Sequence, residues 1–242
     1  MSMAAMLTDI RALTFDVFGT VVDWRSGVAR EAEALLAPKG IARDWGVFAD
    51  RWRARYVPAM DRVRKGERPW TILDDLHREN LVGLLAEEGI DGVSAAEIDE
   101  LTLAWHRLDP WPDVLEGLAR LKRRFVLATL SNGNVALTVN MAKRAGLPWD
   151  VILGAEIAGA YKPAPQAYDR AVELLRLRPD QVLMTAAHTY DLDAAATRGL
   201  RTAYVHRPLE YGPTKTDRPR PAAATYDIQV DSFTGLADAL GC

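Results

Sequence analysis

The chain has 242 residues, 49% of them hydrophobic, and a formal net charge of −3 with acids and bases interspersed. That length can bury a full core as one large domain or two small ones, and no basic face advertises nucleic acid or an anionic membrane. The one cysteine is Cys242, which excludes a disulfide framework or a thiolate metal cluster, so a small-molecule partner and oxygen- or nitrogen-based chemistry are expected.

The opening Met1–Ile10 has no basic n-region or long apolar core, and no later run has membrane-spanning length, so a cytoplasmic protein is expected. From Ile10 to Phe15, apolar and β-branched residues read as a buried strand, followed at once by Asp16 and by Gly19, which permits a sharp turn. A carboxylate at the carboxyl end of a strand lies where open α/β sheets bind ligands. On these residues alone, an Asp-containing turn fits equally well. From about Ser26 to His106 the chain reads as several helices, with Phe48, Trp52 and Tyr56, or Leu73, Leu76 and Leu81, at helical spacing. Breaks are expected at Lys39-Gly40, at Lys65 to Pro69 and at Glu88 to Gly92. Asp109-Pro-Trp-Pro112 cannot lie inside a helix and marks the return to the first domain.

Beyond Asp113, strands and helices alternate. Strands are expected at Phe125–Leu130, Asp150–Leu153, Gln181–Thr185, Arg201–Val205 and Tyr226–Val230. Helices are expected at Val135–Ala145, stopped by Gly146, at Pro165–Leu175, and at Asp191–Arg198, closed by Gly199. His206–Pro221, with four prolines, reads as a long surface loop. The alternation implies an α/β fold with a doubly wound parallel sheet and right-handed crossovers. Its core would comprise residues 1–22 and 107–242, with a helical cap, 23–106, inserted after the first strand.

Asp16-Val-Phe-Gly-Thr20 resembles the first motif of the haloacid dehalogenase superfamily, whose leading Asp is a nucleophile. Phosphatases of that superfamily carry a second Asp two residues later, where this chain has Phe18. A phosphate ester expels an alkoxide that needs a proton from that acid, whereas a halide leaves without one. Asp16 with Phe18 therefore resembles the L-2-haloacid (type II) branch. The resemblance implies a Rossmann-like core with a cap, and hydrolysis of (S)-2-haloacids to (R)-2-hydroxy acids through an ester on Asp16.

The same resemblance implies the other roles. Leu-Ser131-Asn132-Gly matches the second motif, where the Ser holds the substrate carboxylate and the Asn lies against the halide; on its own it reads as a polar turn. Lys162-Pro-x-Pro-x-x-Tyr168 matches the third motif, where the Lys sits beside the nucleophile and keeps it ionised. A lone loop Lys is otherwise usually solvated, and a Tyr facing the core from a helix is common. Trp52-Arg53 resembles the cap helix whose Arg receives the halide, with Arg51 and Arg55 as the alternatives. Thr20, Ser131 and the backbone N–H groups after Asp16, Val17 and Phe18 among them, would hold carboxylates. Tyr190 matches a pocket-lining family Trp, Ala54 and Val57 are further candidates for the lining, and Asp191 would orient or activate water.

Phosphatase relatives pair two acids, four residues apart, around Mg²⁺; aligned on Asp191, the first falls on Ala187, and a site without metal or cofactor is expected. Asp193 more naturally serves a helix start. His77, His106 and His206 read as surface or structural histidines. His188 stands where the family usually has Asn, either filling space or joining Asp191 to deprotonate the hydrolytic water, given its ordinary pKa of ~6.5. Two rivals remain: a phosphatase of this fold, and a catalytically silent binding protein that keeps the scaffold. The family also suggests a homodimer.

Overall fold

A computed structural model describes residues 8–215 and 219–242. Strand β1 (Ala12–Phe15) leads through a tight turn into the short β2 (Val22–Asp23). Helices α1 (Trp24–Leu36), α2 (Trp45–Ala54), α3 (Tyr56–Arg64), α4 (Leu73–Glu87) and α5 (Ala95–Thr102) follow, and β3 (Asp109–Pro110) returns. Next come α6 (Val114–Leu121), β4 (Val126–Ser131), α7 (Val135–Ala145), β5 (Val151–Gly154), α8 (Ala155–Ala158) and α9 (Pro165–Leu175). The chain closes with β6 (Val182–Ala186), α10 (Thr189–Thr197), β7 (Arg201–Val205), β8 (Ile228–Val230) and α11 (Phe233–Ala239).

Six strands form one parallel sheet in the order β5-β4-β1-β6-β7-β8. β1 lies between β4 and β6, with every residue buried, as a strand covered on both faces requires. The chain leaves β1 toward β4 and β5, then recrosses to β6, so the order reverses beside β1 and opens a crevice at its carboxyl end. Alternate residues supply two cores. Leu13, Phe15, Leu127 and Leu183 face one, while Ala128, Leu130 and Met184 face the other.

Helices α1 to α5 lie between β2 and β3, which pair antiparallel, Val22 opposite Pro110 and Asp23 opposite Asp109. The sequence marks Asp109–Pro112 as a return but does not reveal this pairing of the two crossings. Local signals explain the helices. Asp44 caps α2 by accepting from the Val47 N–H at 3.0 Å, and Ser94 with Glu97 forms a capping box on α5. Gly146 ends α7 in the left-handed conformation, φ 70°.

Several boundaries move. Helix α10 starts at Thr189 because the His188 carbonyl accepts from the N–H groups of Asp191 and Leu192. Asp193 consequently does not serve the helix start and instead accepts from the Tyr226 hydroxyl at 2.9 Å. Tyr226 itself lies outside β8. The largest departure is the segment expected as a surface loop after β7, whose Arg207 and Glu210 are buried. Residues 216–218 of that segment lie outside the described residues.

His77 and His106 are both buried rather than on the surface. His77 stacks on Trp105 with ring centroids 4.2 Å apart, and Trp105 also meets Trp52 at 5.6 Å, Phe18 at 5.8 Å and Trp24 at 6.2 Å. Trp105 thus fastens the inserted helices onto the loop that follows β1. Trp105→Ala should lower stability by about 3–5 kcal/mol, the range for emptying a large buried aromatic site; a denaturant midpoint unchanged from wild type would deny Trp105 that role.

Candidate active site

Asp16 follows the last residue of β1, Phe15, which is paired with Thr129 on one side and Thr185 on the other. Ser131 and Asn132 at the end of β4, and Ala187 and His188 just past β6, therefore gather around it at one edge of the sheet. The side chain of Asp16 is almost wholly enclosed. Its Oδ1 accepts from Lys162 Nζ at 3.0 Å, and its Oδ2 accepts from Thr20 Oγ1 at 2.7 Å and meets His188 Nδ1 at 2.9 Å. Thr20 is fixed in turn by the Ala187 N–H, 2.9 Å from its oxygen.

Lys162 also donates to Asp191 Oδ2, and Tyr168 donates to Asp191 Oδ1 at 2.6 Å. The Lys162 backbone is clasped from two sides: its N–H donates to Asn132 Oδ1 at 2.8 Å, and Arg64 of α3 donates to its carbonyl. Burial pushes the Asp16 carboxyl up, but the Lys162 ammonium and the hydrogen bonds from His188 and Thr20 outweigh it and hold the group far below the ordinary carboxylate range. For Asp191 burial prevails over Lys162, and the pKa is raised. The site thus holds one firmly ionised carboxylate beside a second, more basic one.

His188 departs from both sequence readings. Its Nδ1 faces Asp16 and its Nε2 faces Glu210 Oε1 at 2.9 Å, while Asp191 is engaged by Lys162 and Tyr168. Burial pulls the ring's pKa down, but the charges of Glu210 and Asp16 carry it up to about 10. A histidine so held is a cation at neutral pH. Its direct partners are Asp16 and Glu210 rather than Asp191 or a backbone carbonyl.

Arg51 and Arg53 lie on α2 and Arg55 just past its end, and the alternate positions point to different sides. Arg51 and Arg55 pair outward with Glu87 and Glu88. Arg53 turns inward, 3.7 Å above the Tyr56 ring and 5.7 Å from that of Trp24. It lines a cavity of about 340 Å³ with Trp24, Ala54, Val57, His188 and Tyr190. A second cavity, about 240 Å³, lies between Tyr56, Met60, Asn132, Lys162 and Tyr190. Tyr190 borders both, its ring tilted against that of His188 with centroids 5.5 Å apart. Val17 and Phe18 are buried beneath, and Ser131 Oγ accepts from the Gly133 N–H at 3.0 Å, holding its own turn.

The residues present do not suit a divalent cation beside Asp16. Ammonium and imidazolium groups flank its two oxygens, and Ala187 supplies a methyl group where a second carboxylate would be needed. Among the described residues, no cluster of His, Cys, Asp or Glu forms a metal site, and no helix is long and apolar enough to cross a membrane. Glu210 and Arg64 are the site residues that sequence reading misses. Glu210 lies in a proline-rich stretch without periodicity, and Arg64 is one arginine among many on the cap.

Because the folded pKa of His188 is raised, its contribution to stability is complete below the ordinary value of 6.5 and is lost as pH climbs through about 10. Wild type should therefore lose stability relative to His188→Asn across that window, measured as denaturant midpoints at a series of pH values. Parallel curves would mean that no ion pair at His188 titrates there.

Comparison with known proteins agrees with this geometry. A family model described as haloacid dehalogenase-like hydrolase matches residues 10–197. The (S)-2-haloacid dehalogenase 4A of Burkholderia cepacia is 28% identical over 215 residues, covering 85% of this chain and 88% of the relative. Among solved structures, a defluorinating L-2-haloacid dehalogenase is 48% identical with a TM-score of 0.92, covering 96% of each chain. Another L-2-haloacid dehalogenase is 46% identical with a TM-score of 0.90, covering 96% of this chain and 99% of its own. With the strand-end carboxylate, the flanking lysine and this agreement over most of its length, the chain belongs to the haloacid dehalogenase-like hydrolases.

Proposed function

We propose that the protein is a metal-independent (S)-2-haloacid dehalogenase of the cytoplasm that yields (R)-2-hydroxy acids through an ester on Asp16. The observation that carries this reading is an ionised, cation-flanked Asp16 followed two residues later by Phe18, which packs edge-on against Trp105 and offers no proton to a leaving group. A phosphatase needs that proton and a metal-binding partner at position 187, and this chain has neither an acid at 18 nor one at 187. The polar groups gathered on Asp16 support catalysis over a silent scaffold, since a buried ion cluster is not required for folding.

In the first step, an Asp16 oxygen attacks C2 opposite the halogen, the carbon–halogen electron pair departs with the halide, and configuration inverts. Arg53, inward and backed by aromatic faces, receives the halide with Asn132. Ser131 and the N–H groups after Asp16 hold the substrate carboxylate. In the second step water attacks Cγ of the ester, and Asp191, the more basic carboxylate, takes its proton. That proton passes to the departing oxygen of the 2-hydroxy acid, and the regenerated Asp16 carboxyl releases its own proton to solvent. Residues 23–106 act as the cap over a core of 1–22 and 107–242, excluding water from the ion cluster. A homodimer is the assembly that goes with this reading.

The test is halide release from a panel of 2-chloro- and 2-bromoacids of both configurations, extended to fluoroacetate because the relative at 48% identity is described as defluorinating. Release should be confined to (S)-substrates and undiminished by EDTA. Asp16→Asn should reduce it at least about a hundredfold while the protein still folds, as judged by its circular dichroism spectrum. Mg²⁺-dependent phosphate release in place of halide release would refute the assignment.

Arg53→Ala should slow ester formation about a hundredfold, the scale for losing one group that meets developing charge, and most for the poorest leaving group. Single-turnover ester formation at the wild-type rate would remove Arg53 from the halide site.

A further inference from the structure

Glu210 is fully buried although it lies in a proline-rich segment, and its Oε1 meets His188 Nε2 at 2.9 Å and accepts from Trp24 Nε1 at 3.3 Å. Gly19 of the nucleophile loop makes room for it: φ there is +82°, and a Cβ would fall 2.3 Å from that same oxygen. The carboxylate is therefore built into the turn that carries Asp16. Ionised carboxylates only accept hydrogen bonds, and His188 has one at each ring nitrogen. Both nitrogens must carry hydrogen, and the Trp24 N–H aimed at Oε1 marks that oxygen as an acceptor. Glu210 takes no part in the reaction described above.

Joining the substrate to Asp16 neutralises the carboxylate that faces Nδ1. An imidazolium held by Asp16 alone would lose its counter-charge at that moment, just before water attacks. Glu210 is untouched by that bond and stays against Nε2 on the far side of the ring. The two oxygens of Asp16 are also unequal: Oδ2 faces both Thr20 and His188, while Oδ1 faces Lys162.

We propose that Glu210 is a positioning residue of the hydrolytic half-reaction, holding His188 as an imidazolium whose Nδ1–H remains on Oδ2 of Asp16 while Oδ1 is joined to the substrate. This rests on the haloacid hydrolase reading. When water bonds to Cγ, its proton goes to Asp191 and the carbonyl electron pair moves onto Oδ2, against Thr20 and a fixed cation. Collapse restores that carbonyl and breaks Cγ–Oδ1, so Oδ1 leaves in the hydroxy acid with the proton from Asp191, and Asp16 gains the oxygen of water. The charged or titratable groups around the ring are Asp16, Glu210 and the tilted Tyr190, with Asp50, Arg53, Tyr211 and Lys215 along the same cavity. Glu210 and Asp16, which touch the ring nitrogens, outweigh burial, in keeping with a ring pKa of about 10.

The experiment is Glu210→Gln in the full chain, mixed rapidly with (S)-2-chloropropionate. The first halide should appear in a burst near the wild-type rate. Steady-state kcat should then fall at least about tenfold, on the scale of a weakened oxyanion contact. The ester should accumulate as a mass increase on the intact protein, the alkaline limb of the kcat profile should move to lower pH, and Glu210→Asp should restore part of the rate. A folded Glu210→Gln with wild-type kcat, or one that loses burst and turnover in equal proportion without trapped ester, would overturn the proposal while leaving the dehalogenase assignment intact. No halide from wild type on any haloacid would remove both. Should the variants fail to fold, ¹⁵N imidazole spectra of wild type decide: at about pH 8, where an ordinary histidine is neutral, His188 should show two protonated nitrogens, and a neutral ring would overturn the proposal.

Discussion

The buried ammonium of Lys162, set between Asp16 and Asp191, is the interaction on which the rest of the site depends. Two carboxylates this close in a low-dielectric crevice cannot both stay ionised without a cation between them, and losing one partner of a buried pair costs about 3–5 kcal/mol. The fold therefore secures Lys162 from several directions. Asn132 at the end of β4 takes its N–H, and Arg64 from the cap takes its carbonyl. Tyr168 on α9 holds Asp191 from behind. Residues from two strand ends, a core helix and the cap thus converge on one lysine and its partner Asp191, and each is fixed by an element that packs for its own reasons. The cation's position follows from the order of strands β4, β1 and β6.

The cap contributes a wall more than a set of reacting groups. Trp24, Trp52, Trp105 and Phe18 form a continuous aromatic seam from the inserted helices to the nucleophile loop. His77 lies within it, its pKa held well below the ordinary value by burial and by Arg53, so it enters as a flat neutral ring. A dry aromatic wall strengthens every charge interaction facing it. Arg53 gains from this directly, since its guanidinium lies over ring faces that attract a cation without neutralising it. Its charge stays available to an arriving halide, whereas Arg51 and Arg55 are already satisfied by glutamates.

What the sequence makes legible is what local chemistry determines. Apolar strands ending in Asp16 and Ser131, helices closed by Gly146 and Gly199, and the Lys-Pro loop after β5 all carry signals within a few residues of themselves. The resemblance of Trp52-Arg53 singles out Arg53, with Arg51 and Arg55 as alternatives, but which of them turns inward depends on which face of α2 meets the core. Glu210 and the antiparallel pairing of β2 with β3 left no comparable mark, because each rests on a partner far along the chain. His188 shows the same limit. Its position was visible, while its charge state is set by a carboxylate from a segment that reads as surface loop.

The absence of acids at 18 and 187 and the presence of His188 and Glu210 beside Asp16 form one electrostatic arrangement. In a metal-dependent relative, a divalent cation would balance the nucleophile and a second carboxylate. Here Asp16, Asp191 and Glu210 face Lys162, His188 and Arg53, three formal negative charges against three positive, with every cation part of the chain. Such a crevice needs no ion from solution and would repel one approaching Asp16, because both carboxylate oxygens already face a positive group. It also suits a substrate that enters as a monoanion and a product halide that leaves as another. For the proposed two-step reaction, cations fixed in place mean that little reorganisation is needed as charge moves from Asp16 to the halide and returns during ester hydrolysis. On the role proposed for Glu210, the imidazolium matters most in the second of these movements, when Asp16 is esterified and Glu210 remains against Nε2.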